Sequence, residues 1–455
     1  MHSHKIQPCP LNRTASKVIE TSAPERSLKL ILLADFISSP ILVFFNESYR
    51  IQISGLSLLQ ISRGVFFLLL FFSLINSAKI KSKDTTIFFI IYLLGIYSAI
   101  LSIAVQQPVE NIVGTIRLTY PALVGLATYI LVSRNMLSER TLRLVAWYWL
   151  LAYFSSQLFA LFSGKTIYNS MYAASGLGSG GSAADALIFL IPFFLLSERL
   201  HKWDLLAICM TITASALTMR RTAILGVFLA LFFGVLARTL KRGGSIAGKT
   251  LTLLFFFCLL LGFNHALHST GWGEEFSLRL ADKTGSGRNF IWAQGVEHLG
   301  ERGFLLNILG EGEGSYPQIM LKKIGFSVGS HNGWLNLVVA YGIVGVAFYL
   351  AFFSQLWRLL QESRKLPGSS LTAGAALTGG ILLAETTQGF LLSPAAVSAY
   401  VLIGFLLAQN QIIARRWRLQ PSTNPGFAYG LRSPRIPGRI HVRIGGNRLD
   451  RLPGQ

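Results

Sequence analysis

The sequence predicts an all-α, polytopic membrane protein: a bundle of about twelve transmembrane helices with one larger loop outside the membrane. Two observations lead to this fold class. Of the 455 residues, 52% are hydrophobic and only 13% are charged, whereas soluble proteins carry about 25% charged residues. The apolar residues form repeated runs of about 18–22 residues, the length that spans a bilayer as a helix, without the short alternating segments of a membrane barrel.

The predicted spans are apolar runs separated by polar or basic connections. They cover roughly residues 29–46, 64–79, 86–105, 112–132, 143–163, 184–198, 203–218, 222–238, 250–266, 333–353, 371–391 and 394–413. A segment at 51–62 is only moderately apolar and is predicted to be re-entrant or interfacial. The chain therefore divides into an N-terminal segment (1–28), a first bundle part (29–266), an outer loop with short helices (267–332), a second bundle part (333–413) and a tail (414–455).

The net charge of +21 is explained by where the basic residues lie. They occur on alternate connections, for example at Lys79, Arg134, Arg199 and Arg238, and these connections share a side with both termini. By the positive-inside rule that side is cytoplasmic. The opposite face, with the long loop, is then predicted to be periplasmic at a bacterial inner membrane. Nucleic-acid binding is not expected from a charge distributed in this way.

The tail after Ala414 carries nine arginines and one acid, Asp450, and is rich in proline and glycine. Such a segment contains too little apolar surface to fold by itself. We expect it to be disordered and close to anionic lipid headgroups. Binding of a cytoplasmic partner is the alternative.

One histidine stands where the outer loop enters a span, in the sequence SHNGW, Ser330 to Trp334. The N-terminus of a helix carries a positive partial charge, which disfavours a protonated imidazole. His331 is therefore predicted to be neutral near pH 7 and able to accept a proton. The alternative is that His331 and Asn332 only cap the helix.

Four arginines are predicted to lie at or near the same outer face. Arg220 and Arg221 occupy a tight outer connection, against the positive-inside pattern, and Arg288 lies in the long loop. Arg117 lies one to two turns inside a span, where an arginine costs roughly 2.5–3.5 kcal/mol by insertion scales. Glu385 is a candidate partner for Arg117 and an alternative base. Several arginines around one histidine indicate a site for an anion, most simply a phosphate or diphosphate.

Two further features of the outer loop carry predictions. The face of a short helix formed by Trp292, Val296 and Leu299 is predicted to lie on the membrane surface. The sequence GEGEG, Gly310 to Gly314, is predicted to form a flexible turn with solvated glutamates rather than catalytic ones. Gly342 and Gly345, in the next span, would allow a neighbouring helix to approach closely.

Taken together, these motifs resemble the bacterial O-antigen ligase and O-antigen polymerase family. The pattern is R-x-x-x-W, a glycine-rich turn, and then H-N-x-W-L-x-x-x-x-x-x-G-x-x-G. Its residues here are Arg288, Trp292, Gly310, Gly312, His331, Asn332, Trp334, Leu335, Gly342 and Gly345. The stretch RRTAIL resembles an arginine element of the family, with Arg221 at the family position and Arg220 where a serine is usual. Residues 340–341 are Ala-Tyr, where many members carry a glutamate.

This resemblance implies a multi-span glycosyltransferase, similar to the class C enzymes, that uses a glycan on undecaprenyl diphosphate as donor. The acceptor would be a sugar hydroxyl, on lipid A-core for a ligase or on another lipid-linked repeat for a polymerase. It also implies inverting, metal-independent transfer, and the sequence has no D-x-D pair that would hold Mg²⁺. We expect no cofactor. In this interpretation His331 is the base, Arg221 and Arg288 neutralise the diphosphate with Arg117 and Arg220 as further candidates, and Asn332, Trp292 and Glu385 support them.

Other functions remain open at this point. A transporter or flippase for lipid-linked glycan would place Arg117 and Glu385 on a translocation path, but it predicts discontinuous helices and internal symmetry, and neither is clear in the sequence. A non-catalytic scaffold would act through its basic tail. One sequence does not separate ligase from polymerase, although the Ser-Gly-Arg context of Arg288 and the modest outer loop favour a polymerase of surface polysaccharide.

Overall fold

The computed structural model describes most of the apolar part of the chain. The described residues are 23–49, 52–53, 56–77, 85–104, 108–163, 180–197, 200–218, 220–241, 287–387, 389 and 396–419, with isolated positions between 250 and 274. The segment before residue 23, the predicted span at 250–266 for the most part, and the tail after residue 419 lie outside this description. The predictions made for those segments remain predictions.

Within the described residues the secondary structure is helical apart from one short hairpin. The helices are α1 (Ala23–Tyr49), α2 (Leu58–Ser77), α3 (Thr86–Ala104), α4 (Pro108–Ser133), α5 (Glu139–Phe162), α6 (Gly180–Phe194), α7 (Lys202–Leu217), α8 (Arg221–Lys241), α9 (Arg288–Glu301), α10 (Phe304–Leu309), α11 (Ser315–Ile324), α12 (Gly333–Lys365), α13 (Leu371–Thr387) and α14 (Ala396–Leu419). The hairpin pairs β1 (Gln52–Ile53) with β2 (Leu56–Ser57), antiparallel, directly before α2. It occupies the segment predicted to be re-entrant or interfacial.

Six described helices are long and apolar enough to cross a membrane, and they identify a multi-pass membrane protein. These segments are Leu58–Asn76, Gly114–Ser133, Glu139–Phe162, Arg221–Lys241, Gly333–Lys365 and Ala396–Arg418. The predicted spans other than that at 250–266 each overlap one of the helices α1–α8 and α12–α14. The total of twelve stays a prediction.

Large apolar side chains cover much of the outside of the bundle. Phe72, Leu144 and Phe162 are more than half exposed, and many other helical leucines and phenylalanines are exposed as well. A soluble protein rarely exposes apolar surface on this scale. A lipid environment explains the pattern, because lipid tails are as apolar as the side chains that face them.

Glycines bring the central helices into close contact. A side chain at Gly234 of α8 would meet Leu195, which follows α6, at 2.7 Å, and one at Gly379 of α13 would meet Phe233 of α8 at 2.6 Å. At the α4–α14 crossing, a side chain at Gly125 would meet the carbonyl oxygen of Tyr400 at 2.7 Å. Small residues at such crossings let backbones pack closely, which is how helices associate in the absence of a hydrophobic driving force.

A second, smaller core lies under the short helices of the outer loop. Ile291 of α9, Tyr316, Ile319 and Met320 of α11, and Val339 of α12 are buried against one another. The hydroxyl of Tyr316 also donates a hydrogen bond to the carbonyl of Ile291 at 2.7 Å. These contacts fix α9 and α11 against the first part of α12, the part that follows His331.

Candidate functional site

His331 is held in an unusual backbone conformation immediately before α12. Its φ angle is +48°, a left-handed value that costs a non-glycine residue free energy and is often found at functional positions. Two neighbours hold this turn. The hydroxyl of Ser330 accepts from the amide of Asn332 at 3.2 Å and donates to its carbonyl at 2.8 Å. The side chain of Asn332 caps α12 by accepting from the amide of Leu335 at 3.0 Å.

The role of Asn332 is therefore structural in the first place. The sequence left open whether both His331 and Asn332 only cap the helix. The structure assigns the cap to Asn332, so the ring of His331 is not needed for it.

Three arginines stand at the N-terminal ends of helices. Arg221 is the first residue of α8, Arg220 directly precedes it, and Arg288 is the first residue of α9. The N-terminus of a helix carries a positive partial charge, so a cation there is unfavourable unless an anion is nearby. Helix N-termini are also common binding sites for phosphate groups. This placement favours an anionic ligand at the site.

Electrostatics link two of these arginines to the histidine. Desolvation lowers the pKa of His331 below its usual 6.5, and the positive charges of Arg288 and Arg220 lower it further. The sequence predicted a neutral His331 from the helix N-terminus alone. Partial burial and the two guanidinium groups lower the pKa of His331 in the same direction as the helix N-terminus. The family pattern pointed to Arg221, whose part in the site remains a prediction.

Arg220 also has an unused donor. Its amide donates to the hydroxyl of Thr218 at 3.2 Å, which fixes the backbone between α7 and α8. Its side-chain Nε is buried and makes no hydrogen bond to any group that the structure describes. A buried donor of this kind costs free energy unless it finds an acceptor, and a phosphate oxygen is a suitable one.

Trp292 ties α9 to the turn that carries the histidine. Its indole Nε1 donates to the carbonyl of Ser330 at 2.6 Å. The prediction that the face of Trp292, Val296 and Leu299 lies on the membrane surface is wrong for two of the three residues. Trp292 and Leu299 pack against the small core under the outer loop, whereas Val296 is exposed.

The helix that follows His331 is broken. At Gly342 of α12 the backbone has φ +60° and ψ −157°, so α12 consists of two helical parts that meet at this residue. The turn at Gly310 packs directly on the break, backbone against backbone. A side chain at Gly310 would collide with the carbonyl of Ala340, and one at Gly342 would collide with the carbonyl of Ile308. The close neighbour predicted for Gly342 is the last turn of helix α10, which carries Ile308, together with the glycine turn that follows it.

The carbonyl groups released by this break are satisfied by protein groups. The amides of Glu311 and Gly312 donate to Val339 and Ala340 at 3.1 and 2.8 Å. The guanidinium of Arg302, whose side chain is 2% exposed, adds hydrogen bonds to the carbonyls of the first part of α12. It donates to Val338 at 2.9 Å and to Val339 at 3.0 Å.

Both glutamates of the GEGEG turn have partners, so the prediction that they are solvated is wrong. Glu311 pairs with Arg302 at 3.3 Å and with His298 at 2.7 Å. Glu313 accepts a hydrogen bond from the hydroxyl of Tyr341 at 2.8 Å. Burial raises the pKa of Glu313, while this hydrogen bond and the positive charge of Arg117 oppose the rise.

Arg117 is placed beside the glycine-rich turn. It is exposed and lies within electrostatic range of Glu313 and of Arg63, whereas Arg288 and Arg220 are the charges that act on His331. The positive charges that act on His331 are therefore those of Arg288 and Arg220, and Arg117 acts on Glu313. Where the family pattern has a glutamate, this chain has Tyr341, which contacts the Glu313 carboxylate from the turn.

Glu385 lies at the base of the histidine turn. It is buried and accepts a hydrogen bond from the hydroxyl of Tyr349, whose ring stacks edge-on against Trp334 at 5.1 Å. A side chain at Gly333 would collide with the Glu385 carboxylate. The carboxylate therefore lies against the first turn of α12, where the helix dipole favours a negative charge. Its pairing with Arg117 remains a prediction.

No prediction was made from the sequence for Arg302 or His298, and the contacts of Glu311 and Tyr341 were not predicted. Arg302 and Glu311 look like ordinary loop charges, because nothing in the sequence shows that a helix thirty residues later will break against them. The available signal was Gly342 inside an apolar helix, which suggests a kink or a close approach of another backbone.

The fold defines a multi-pass membrane protein, and His331, Arg288 and Arg220 stand at or directly before the N-termini of three of its helices. A family model for O-antigen ligases matches residues 205–350, roughly a third of the chain. The match includes Arg220, Arg221, Arg288 and His331, and it confirms the resemblance seen in the motifs. The chain is thus similar over this region to membrane glycosyltransferases of the O-antigen ligase and polymerase type. A comparison with curated proteins finds no match.

Proposed function

We propose that this protein transfers a glycan from undecaprenyl diphosphate to a sugar hydroxyl at the periplasmic face of a bacterial inner membrane. The acceptor is lipid A-core for a ligase or another lipid-linked repeat for a polymerase. The observation that carries the proposal is the placement of His331 beside Arg288 and Arg220, at the N-terminal ends of α12, α9 and α8. The family match supports the same class of reaction.

His331 acts as the base. Its ring accepts the proton of the acceptor hydroxyl while the oxygen attacks the anomeric carbon of the donor sugar, with inversion. The bond from that carbon to the diphosphate oxygen breaks, and the electron pair leaves with the diphosphate. A lowered pKa keeps the ring unprotonated at neutral pH, as a base requires. Base catalysis of this kind contributes about 10²–10⁴-fold to a rate.

The positive charges of Arg220 and Arg288 neutralise the negative charge that develops on the leaving diphosphate. The buried Nε of Arg220 supplies a donor without another acceptor among the described groups, and Arg288 stands at the first turn of α9. Preorganised positive groups in a partly desolvated site stabilise developing charge more strongly than water does. In other transferases a divalent metal ion neutralises this diphosphate charge, and here the arginines do so. Arg221 and Arg117 are further candidates for contacts to the same donor.

Transport of a lipid-linked glycan is the second candidate, and one observation favours it. Transporters commonly contain broken helices near their substrate sites, and α12 is broken at Gly342. In such proteins the released carbonyls coordinate the transported ion. Here the carbonyls of Val338, Val339 and Ala340 are taken by Arg302, Glu311 and Gly312, which favours a structural break and therefore the transferase.

The direct test uses the purified protein with lipid-linked repeats, with and without lipid A-core. A ladder of longer glycans identifies a polymerase, and a shift of the lipid A-core band identifies a ligase. We expect His331→Ala to abolish the product and Arg288→Gln or Arg220→Gln to weaken use of the donor. The matched control is His201→Ala, an exposed histidine that directly precedes α7 and lies one full helix away from Arg220.

Each outcome has a definite meaning. Full product formation by His331→Ala overturns the assignment of the base. Movement of labelled lipid-linked glycan across a proteoliposome membrane, without any longer product, would establish transport instead. Deletion of residues 415–455 distinguishes transfer and transport from a scaffold function. A scaffold requires that loss of the tail abolishes glycan assembly and that the purified protein has no transferase activity of its own.

A further inference from the structure

A second cluster of basic residues lies at the other end of the bundle. α8 begins at Arg221 and ends at Lys241, and 21 helical residues span about 30 Å. Its last turn carries Arg238 and Lys241, so these side chains stand about one membrane thickness away from the His331 site. Nothing in the proposed transfer reaction uses them.

These two cations line a cavity of about 260 Å³. Ligand pockets for small molecules start at about 300 Å³, so the space suits a phosphate group with a short organic substituent. The lining includes no carboxylate among the described residues. Its polar members are two basic side chains and four hydroxyls, from Arg238, Lys241, Ser197, Ser369, Ser370 and Thr372.

The wall of the cavity is preorganised. The ammonium of Lys241 donates to the carbonyl of Ser369 at 2.6 Å and to its hydroxyl at 3.3 Å. The hydroxyl of Ser370 donates to the carbonyl of Leu196 at 2.8 Å, and its amide donates to Gln409 at 3.1 Å. These contacts fix the segment before α13 against the ends of α8 and α6 and against α14, so a ligand meets the charge of Lys241 already in position.

We propose that this cavity binds a phosphate-bearing anion. The group comes either from an anionic phospholipid headgroup or from soluble phosphate. Basic pockets between transmembrane helices are suited to anionic headgroups, each lysine or arginine contributing about fivefold to affinity. The site is separate from the transfer site and independent of whether transfer is the function.

The test compares two sources of the anion. Protein released from nanodiscs that contain phosphatidylcholine and phosphatidylglycerol is analysed by native mass spectrometry for retained lipid. In parallel, inorganic phosphate is titrated against the protein in detergent. Retention of phosphatidylglycerol identifies a headgroup site, and binding of phosphate without lipid retention identifies a soluble anion. Absence of both overturns the proposal.

The variants locate the site. Arg238→Gln/Lys241→Gln should weaken the binding about 30-fold, from two contributions of about fivefold each. The control pair, Lys202→Gln/Arg358→Gln, removes two exposed cations outside the cavity and should change binding by less than about twofold. Equal binding by the double variant and the wild type rejects the cavity as the site.

A third variant changes the charge of the cavity by a different route. Thr372→Glu adds a negative charge to the lining that Arg238 and Lys241 share, and it should also abolish binding. His331→Ala, which is inactive under the proposed function, should bind the anion as the wild type does. This combination separates failure of the anion site from failure of the proposed transfer reaction.

Discussion

Replacing Arg302 by methionine tests whether the broken α12 is held by a buried cation. The change keeps much of the side-chain volume and removes the guanidinium. It deletes the hydrogen bonds to the carbonyls of Val338 and Val339, the bond to the side chain of Asn307 at 2.7 Å, and the ion pair with Glu311.

The magnitude follows from burial. The side chain of Arg302 is 2% exposed, and removing one partner of a buried ion pair costs about 3–5 kcal/mol. Because Glu311 keeps its contact with His298 at 2.7 Å, the cost should lie toward the lower end of that range. We expect Arg302→Met to lower the free energy of unfolding by about 3–5 kcal/mol.

Arg358→Met is the matched control. Arg358 also pairs with a glutamate, Glu362, at 3.0 Å, but its side chain is 57% exposed. An exposed i,i+4 pair contributes about 0.3–0.5 kcal/mol. Denaturant titration in detergent micelles, followed by circular dichroism, should therefore separate the two variants by roughly tenfold in their effect.

Hydrogen exchange gives a local readout. The amides of Glu311 and Gly312 donate across the break, so Arg302→Met should speed their exchange, together with that of the first part of α12. If Arg302→Met costs no more than Arg358→Met and leaves this exchange unchanged, the idea that Arg302 holds the break is refuted.

Three other substitutions test the site directly. Gly342→Ala should destabilise the protein by about 1–3 kcal/mol, because φ is +60° and the turn at Gly310 leaves no room for a side chain. Gly300→Ala is the control and should not destabilise it, because the added methyl group meets no atom within 4 Å. Thermal unfolding compares the two variants. Asn332→Ala should cost about 1 kcal/mol by loss of the α12 cap, measured in the same way. Arg288→Gln removes one charge that lowers the pKa of His331. A base is active above its pKa, so the acid limb of kcat/KM should lie below pH 6.5 in the wild type and move to higher pH in this variant.

The acid-limb experiment has its own control. Arg358→Gln removes a cation that is not among those acting on His331 and should leave the limb in place. A limb that stays fixed in Arg288→Gln would show that the two groups are not coupled. A limb above 6.5 in the wild type would contradict the lowered pKa of His331.

The helices could be predicted because lipid imposes a simple rule on sequence. Apolar runs of sufficient length must be helical, since the backbone has no other hydrogen-bond partner in a bilayer. The positions of α2, α5 and α8 follow from such runs. The candidate site residues could be predicted for a related reason. A histidine or an arginine at the end of an apolar run is easily recognised among its apolar neighbours.

The grouping of those candidates could not be predicted. The sequence placed Arg117, Arg221, Arg288 and His331 in one pocket, and that pocket remains a prediction. The charges that act on His331 in the structure are those of Arg288 and Arg220, while Arg117 acts on Glu313. Which arginine reaches a histidine depends on helix rotation, and a rotation of one residue changes the direction of a side chain by about 100°. Charge and spacing along the chain do not determine it.

The sequence by itself determined that this chain is a helical membrane protein, that its polar chemistry collects at the ends of its helices, and that His331 begins one of them. Only the tertiary structure decided that α12 breaks at Gly342, that Arg302 and the glycine turn satisfy the break, and that the glutamates of that turn are paired. The physical reason is that local composition sets which backbone hydrogen bonds can form within a segment. When a backbone hydrogen bond within a helix is lost, as at Gly342, its carbonyl needs a donor that tertiary packing brings from elsewhere in the chain.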